Sequence, residues 1–334
     1  MTRPLERPVS TILLGSGAFA EPVLAALADH PSVNLRAVVT APPRPVGRRQ
    51  VETPTPVHAR ARELNLAVRT PERLRDPAAI ADLLALEPDL VVLADYGQIV
   101  PPSLLDRRFG ALNLHPSLLP RHRGATPIPA AILAGDHETG VSLIRMDDGI
   151  DTGPIVAVER TALGPGETAP ELEARLAALA AQLLGASLDP WLRGELDAIA
   201  QGEEGATLTR PLRRGDGRLD PGAAAERLER TVRAYLPWPG TYLDLDGLRL
   251  VVQSAHVVPS RPGDEPGQIV SEPPGIALAT VDGRLALDTV LPAGGRAMSG
   301  EAFLRGRPGV IGSVVTPEAI PSRIVPGNPA ARPA

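Results

Sequence analysis

Three side chains in one part of the sequence could share a reaction: Asn113, His115 and Asp151. Asn113 and His115 flank Leu114 in the run Leu112-Asn113-Leu114-His115. Successive side chains of a strand leave on opposite faces, so a strand here sends the amide and the imidazole the same way. Asp151 follows 36 positions after His115, in the glycine-flanked stretch Asp147-Asp148-Gly149-Ile150-Asp151-Thr152-Gly153. An amide, an imidazole and a carboxylate converging at the ends of neighbouring strands can hydrogen-bond a carbonyl oxygen as it gains charge and relay the proton of an attacking amine. That chemistry is acyl transfer without a covalent intermediate. Each residue also has a plainer reading, the Asn and Asp as turn residues and the His as a packed core or surface group.

The elements that must position the trio follow the rhythm of an α/β domain. Residues 9–14 read as a buried strand, and Gly15-Ser16-Gly17-Ala18-Phe19-Ala20 turns into a helix with Pro22 in its first turn. The spacing fits the loose dinucleotide pattern G-x-G-x-x-A, but the second strand, 35–39, ends in Thr40 where such a site wants an acid. The glycines are therefore read as a close strand-to-helix turn. Helices expected over 56–64 and 77–86 alternate with strands over 66–69 and 89–93, the pattern of a doubly wound, mostly parallel sheet whose ligands sit beyond the carboxyl ends of its strands. A helix at 127–134 and a strand at 141–146 fill the interval from His115 to Asp151, which suits one crossover in that sheet. Asp147, Asp148 and Asp151 could offer oxygen ligands to a cation, but the flanking glycines and the lack of a second acidic cluster argue against a metal.

A helix expected from about 168 to 184, with Leu172, Leu176, Leu179 and Leu183 at helical spacing, should cover the sheet. Residues 191–205 lack a clear period and read as a linker, so a first domain of 1–190 precedes a second of 206–325, with a loose tail at 326–334. The second domain carries a helix at 223–235 and short strands at 248–252, 268–270, 276–281 and 285–290, each bounded by Gly, Pro or Asp, as in a small OB-like β-barrel.

Composition limits the remaining choices. At 334 residues, 43% hydrophobic and 22% charged, the chain can bury two ordinary cores. It has no Cys, which excludes disulfides, Cys-ligated metals and a thiol nucleophile. All 34 basic residues are Arg. Through residue 205 there are 19 Arg against 26 Asp plus Glu, and beyond it 15 against 13, so the second half is the less acidic and better suited to RNA. Residues 1–17 hold only a short apolar run, and a cytoplasmic location is expected.

Together with Ser117-Leu118-Leu119-Pro120-Arg121-His122-Arg123-Gly124, the trio resembles the folate-dependent formyltransferase family. Its motifs Asn-x-His-x-Ser-Leu-Leu-Pro-x-x-x-Gly and Asp-x-Gly-x-Asp-Thr-Gly carry a catalytic Asn, His and Asp, which the resemblance places at Asn113, His115 and Asp151. It implies 10-formyltetrahydrofolate as co-substrate and no metal. Ala94-Asp95-Tyr96-Gly97-Gln98-Ile99-Val100-Pro101 is similar to the family segment beside the folate. By that likeness Gln98, Ile99 and Val100, with the backbone from Asp147 and Asp148 to Ile150, line the pteridine pocket, and Ser117, Leu118, Leu119 and Pro120 meet the formyl donor. Arg121 and Arg123 stand either near folate or tRNA or as solvated charges.

The likeness extends to the branch of that family acting on methionyl-tRNA. Residues 41–50 are similar to its Arg-Pro-x-Gly-Arg loop, which implies that Arg44, Arg48 and Arg49 contact the acceptor end of the tRNA, although Val51-Glu52-Thr53 stand where the branch has lysines. The order Arg218-Leu219-Asp220, helix, Trp238-Pro239, barrel also matches, with Arg213 and Arg214 as RNA contacts and Pro211 in place of a family Lys. The implied activity is formylation of the α-amino group of Met on initiator tRNA by a monomer. An amino sugar nucleotide is the alternative acceptor for the same trio, and an RNA-binding protein without catalysis is the alternative of another class.

Overall fold

Strands whose residues are apolar on both faces set up the first part of the fold, since only a sheet covered on both sides buries them. In this computed structural model residues 7–315 are described, apart from Arg48 and Asp246, so the tail expected at 326–334 and the expected contact at Arg48 lie outside the described residues. Two compact units are present, one of Met1–Pro127, Glu138–Ala162 and Leu172–Thr209, the other of Ile128–His137, Leu163–Glu171 and Arg210–Ala334.

The first unit runs β1 (Val9–Gly15), α1 (Ala20–Ala28), β2 (Val33–Val39), β3 (Arg44–Val46), β4 (Val51–Thr53), α2 (Pro56–Glu63), β5 (Val68–Arg69), α3 (Pro77–Leu84), β6 (Leu90–Ala94), α4 (Pro102–Leu105) and β7 (Ala111–His115). It continues through β8 (Arg123–Gly124), α5 (Pro127–Ala134), β9 (Glu138–Arg145), β10 (Ile155–Ala162), α6 (Ala169–Leu192) and β11 (Leu208–Thr209), some of these elements being shared with the second unit. The main sheet has the order β10-β9-β7-β6-β1-β2-β5 among the described residues. Strands β1, β2, β5, β6 and β7 are parallel, and every residue of β6 and β7 is buried. The expected doubly wound, mostly parallel sheet is therefore present.

One expectation is corrected. The spacing from His115 to Asp151 suits one crossover in the sheet, the connection a parallel pair needs, but β9 runs antiparallel to β7, with Leu112 opposite Arg145 and His115 opposite Ser142. The chain enters β9 from the carboxyl end of β7 and leaves it level with Leu112, where the Met146 N–H donates to the Ala111 carbonyl. Apolar period reports the type of an element and not its direction, so the spacing suited either arrangement. No strand signal marks the stretch similar to the Arg-Pro-x-Gly-Arg loop. Residues 44–46 and 51–53 pair antiparallel, Arg44 with Thr53 and Val46 with Val51, and both strands are exposed, so their order comes from the backbone ladder rather than from burial.

The second unit holds α7 (Ala225–Ala234), β12 (Thr241–Leu245), β13 (Leu248–Val258), β14 (Ile269–Glu272), β15 (Gly275–Ala279), β16 (Arg284–Pro292), β17 (Met298–Ser299) and α8 (Gly300–Gly306). These strands form one antiparallel sheet of order β12-β13-β16-β15-β14, with β17 also on β16. Leu228 and Val232, one helical turn apart on α7, are buried in the same cluster as Leu243, Leu250, Ile276 and Phe303. Burying side chains of this size stabilises by about 1.5–3 kcal/mol each, which is what holds so short a helix in place. Register shifts between Val252 and Ala255 bend β13, the usual effect of bulges in a small curved sheet. Among the described residues no helix is long and apolar enough to cross a membrane.

Candidate active site

Two polar side chains are buried side by side because β7 is an interior strand. Asn113 sits between Leu93 of β6 and Ile144 of β9, and His115 is opposite Ser142. The two residues share a face and are 5% and 4% exposed, so each needs a hydrogen-bond partner inside the fold. Asp151 supplies one for Asn113 and faces His115. Its Oδ1 accepts from Asn113 Nδ2 at 3.1 Å, and its Oδ2 lies 3.6 Å from His115 Nδ1 while accepting the Gly124 N–H at 2.7 Å. On the far side of the ring, His115 Nε2 is 3.0 Å from the His122 carbonyl oxygen.

Asp151 reaches the other two by a route the sequence does not show. Because β9 ends level with Leu112, the loop after it must fold back along β7 to bring Asp151 to Asn113 and His115. Two features close that loop. A Cβ at Gly153 would stand 1.9 Å from the Arg145 carbonyl oxygen, so only glycine lets the chain pass there. Asp151 itself holds a left-handed backbone, φ +52°, at a cost on the order of 1 kcal/mol or more that the surrounding bonds must offset. The Asp147 carboxylate is used within the loop, accepting from the Gly149 N–H at 3.0 Å and the Thr152 hydroxyl at 2.8 Å. Among the described residues no group of three or more His, Cys, Asp or Glu is placed to hold a metal ion.

The stretch expected as a linker, 191–205, and the four residues after it, expected to open the second domain, are bonded to this site. Ile199 exchanges both backbone bonds with Ile155, and β11 pairs in parallel with β8. Thr207 Oγ1 accepts the His122 N–H at 2.8 Å, and Thr209 Oγ1 donates to the Arg123 carbonyl at 2.9 Å. Gln201 touches both the Asp151 loop and the Arg123 side chain. Arg123 is thus not a solvated charge: it is 7% exposed, with its guanidinium on Gln201 and Glu203. The alternation Thr207-Leu208-Thr209 is a strand signal. Gln201 carries no signal in the sequence.

The other expected site residues are spread over several roles. Ser117 is fully buried and its hydroxyl donates to the Arg121 carbonyl at 2.7 Å, while the Ser142 hydroxyl joins the Ser117 carbonyl to the Leu119 N–H, so the 117–121 turn is held by two serines. Leu119 is buried and Leu118 and Pro120 are half-buried. The Gln98 amide accepts the Leu74 N–H at 2.7 Å and donates to the Pro71 carbonyl at 3.3 Å, which ties two loops together; Val100 is buried and Asp148 exposed. Ile99 and Ile150 are the large apolar side chains left open, 66% and 63% exposed. Arg44 pairs with Glu72 at 2.8 Å on the surface, and Arg49 is exposed. In the second unit Arg213 and Arg214 are exposed at the 3-10 turn Arg214–Gly217.

The glycine turn after β1 is occupied by the protein itself. The Asp95 carboxyl accepts the Gly17 N–H, and a Cβ at Gly17 would meet Asp95 Oδ2 at 1.7 Å. Asp95 keeps part of its surface open to solvent, yet its carboxyl packs on that turn, and lost hydration pushes its pKa up. Glu173 of α6 is pushed up as well, first by burial and then by the Asp95 charge, against the lowering effect of the Phe19 backbone N–H.

A family model described as formyl transferase matches residues 9–188, and a second, described as formyl transferase, C-terminal domain, matches 211–308. The chain belongs to the formyl transferase family. Curated relatives include a methionyl-tRNA formyltransferase of Halorhodospira halophila, 42% identical over 95% of this chain and 98% of that protein. Another, of Acidiphilium cryptum, bears the same name and is 44% identical over 90% of this chain and 97% of that protein. Among solved structures, an N-formyltransferase from Helicobacter canadensis, in complex with folinic acid and dTDP-3-aminofucose, shares the fold with a TM-score of 0.60 at 17% identity, covering 83% of this chain and 97% of that one. The matched formyl transferase regions include Asn113, His115 and Asp151 in the first and Arg213 and Arg214 in the second.

Proposed function

We propose that this chain transfers the formyl group of 10-formyltetrahydrofolate to the α-amino group of the methionine on initiator tRNA. The observation that carries this reading is the meeting of Asn113, His115 and Asp151 around one carboxylate, in a chain that matches relatives named methionyl-tRNA formyltransferase along nearly the full length of both. The donor set suits the chemistry. The neutral amine forms a bond to the formyl carbon while the formyl oxygen gains negative charge, and the bond from that carbon to the folate nitrogen then breaks. Asn113 has a second amide hydrogen beyond the one given to Asp151, and with His115, which donates from Nδ1 once the ring has taken up a second proton, it stabilises the charged oxygen. Asp151 keeps His115 oriented and takes part in relaying the proton lost by the amine to the departing nitrogen. The open Ile99 and Ile150 side chains are apolar surface of the kind a flat pteridine covers.

Arg44, Arg48, Arg49, Arg213 and Arg214 are assigned to the phosphates of the tRNA, and the cytoplasm, where charged tRNA is used, to the enzyme. The test is formyl transfer from the folate donor to charged initiator tRNA, set beside elongator tRNA and an amino sugar nucleotide. N-formylmethionine on the initiator is the expected product. Turnover with the sugar nucleotide alone moves the acceptor to that class, and RNA affinity without turnover removes catalysis from the reading.

A further inference from the structure

We infer that Gln201 is a positioning residue for the reaction, its amide locking the Asp151–Gly153 loop to the Arg123 guanidinium so that the Asp151 carboxylate stays on Asn113 and His115. The inference rests on the proposed role of Asp151 in formyl transfer.

The side-chain amide of Gln201 is fully used. Its Nε2 donates to the Asp151 carbonyl at 2.8 Å and to the Gly153 carbonyl at 2.7 Å, and its Oε1 accepts from Arg123 Nη2 at 2.9 Å and Nε at 3.1 Å. Carbonyls only accept and a guanidinium only donates, so the amide has one orientation that satisfies all four contacts. Those contacts join the two strands of chain that shape the site. The Asp151–Gly153 loop brings the carboxylate, and the 122–124 stretch brings the His122 carbonyl on His115 Nε2 and the Gly124 N–H on Asp151 Oδ2. Gln201 thus fixes the distance between the backbone behind the carboxylate and the backbone in front of it.

The geometry it fixes does not hold itself. Asp151 is left-handed at φ +52°, a conformation an Asp leaves when its neighbours release it. Releasing the Asp151 and Gly153 carbonyls removes the bonds that oppose that relaxation, and the carboxylate then drifts from Asn113 Nδ2 and the Gly124 N–H. A misplacement of about 1 Å in a reacting constellation costs on the order of 10²-fold in rate. Gln201 bonds to the Asp151 backbone carbonyl and not through the reacting carboxylate, so its effect passes through the placement of Asp151.

The variants separate this from a structural role. Gln201→Met keeps length and volume and removes all four contacts, whereas Gln201→Glu keeps an acceptor for Arg123 and sets a carboxylate against two carbonyl oxygens. Both should lower kcat by roughly 10- to 100-fold, with KM for folate donor and charged tRNA changed less than twofold. In Gln201→Glu the buried Arg123 stays paired, so its melting temperature should fall less than that of Gln201→Met, and it serves where Gln201→Met is unstable. In an Asp151→Asn background either substitution should cost less than about twofold more, since both act on the same group. Near-normal kcat in the folded Gln201→Glu protein, a loss confined to KM, or a full further loss in the Asp151→Asn background overturns the inference. If the wild type transfers no formyl group to initiator tRNA, the functional reading has failed instead, and the wild-type control reports that separately.

Discussion

The His122 carbonyl oxygen, 3.0 Å from His115 Nε2, settles which nitrogen of the buried imidazole carries a proton in its neutral form. A carbonyl cannot donate, so Nε2 holds the hydrogen and Nδ1 is the nitrogen that faces Asp151 at 3.6 Å. The ring is anchored by one edge and works with the other. His122 holds its own left-handed backbone, φ +59°, and its N–H is tied to Thr207 at 2.8 Å, so the anchor is fixed from the 199–209 stretch.

Substitutions at His115 should therefore split into two phenotypes. A Gln side chain places its nitrogen where Nε2 stood, while Asn reaches only as far as Nδ1. His115→Gln is expected to keep thermal stability, since the His122 carbonyl stays paired, and to lose turnover by about 10²-fold or more. His115→Asn leaves that carbonyl unpaired and should lose about 1–3 kcal/mol of stability while keeping more residual turnover than His115→Gln. Melting curves and single-turnover rates on the two proteins check the split, and the reverse order of activities removes Nδ1 from the chemistry.

Asn113→Ala and Asp151→Ala should each lower kcat by roughly 10²-fold or more with the fold intact. Asn113→Asp is expected to be worse than Asn113→Ala, because it sets a second carboxylate 3.1 Å from Asp151 Oδ1. Steady-state rates on folded protein decide it. Near-normal formylation by Asn113→Ala would leave the amide a purely structural role.

Gly153→Ala tests the closure of the loop. With its Cβ 1.9 Å from the Arg145 carbonyl oxygen, the backbone has to shift, at an expected cost of about 1–3 kcal/mol in denaturant titrations and a loss of turnover that tracks Asp151. An alanine variant with wild-type stability and rate means that the chain has another path past Arg145.

Much of this site is legible in the sequence, and the parts that are not share a cause. The alternation across Leu114 puts Asn113 and His115 on one face, and that depends only on local geometry. The helix expected at 127–134 is the helix observed, Pro127–Ala134. The direction of β9, the burial of Arg123 and the role of Gln201 all depend on which distant backbone groups come near, and residue type does not encode that. Arg123 lies in a run of charges, and only the approach of Gln201 and Glu203 makes it a core residue. The hairpin at Arg44–Thr53 has no apolar period for a similar reason, since a two-stranded ladder needs no buried face.

The carboxyl of Glu173 gives a pH dependence whose sign is fixed. Burial and the Asp95 charge raise its folded pKa above the ordinary 4.5, so the native protein holds that proton at a pH where the unfolded chain has released it. Stability from this group is present below the ordinary value and is lost as pH rises through the folded one. Glu173→Gln should raise the melting temperature at pH 7.5, and the gain should shrink as the pH is lowered toward 4.5. A gain independent of pH, or a loss at neutral pH, would show that the Glu173 charge is satisfied in the fold.

Arginines on the surface test the partner. Arg44 and Glu72 form an ion pair with side chains 66% and 68% exposed, and such pairs stabilise by about 0–1 kcal/mol, so Arg44→Ala should leave the melting temperature nearly unchanged. Each Ala substitution at Arg44, Arg49, Arg213 or Arg214 that removes a phosphate contact should weaken tRNA binding and reduce the slope of log affinity against log salt by about 0.7–0.9. The loss should be similar for initiator and elongator tRNA, because a phosphate contact carries no sequence information. Residues 1–205 carry 19 Arg against 26 acids, so the first half as a whole repels RNA, and attraction has to come from local positive sites such as the hairpin that bears Arg44. Salt titrations of tRNA binding by the four variants check this, and an unchanged slope removes that arginine from the RNA contact.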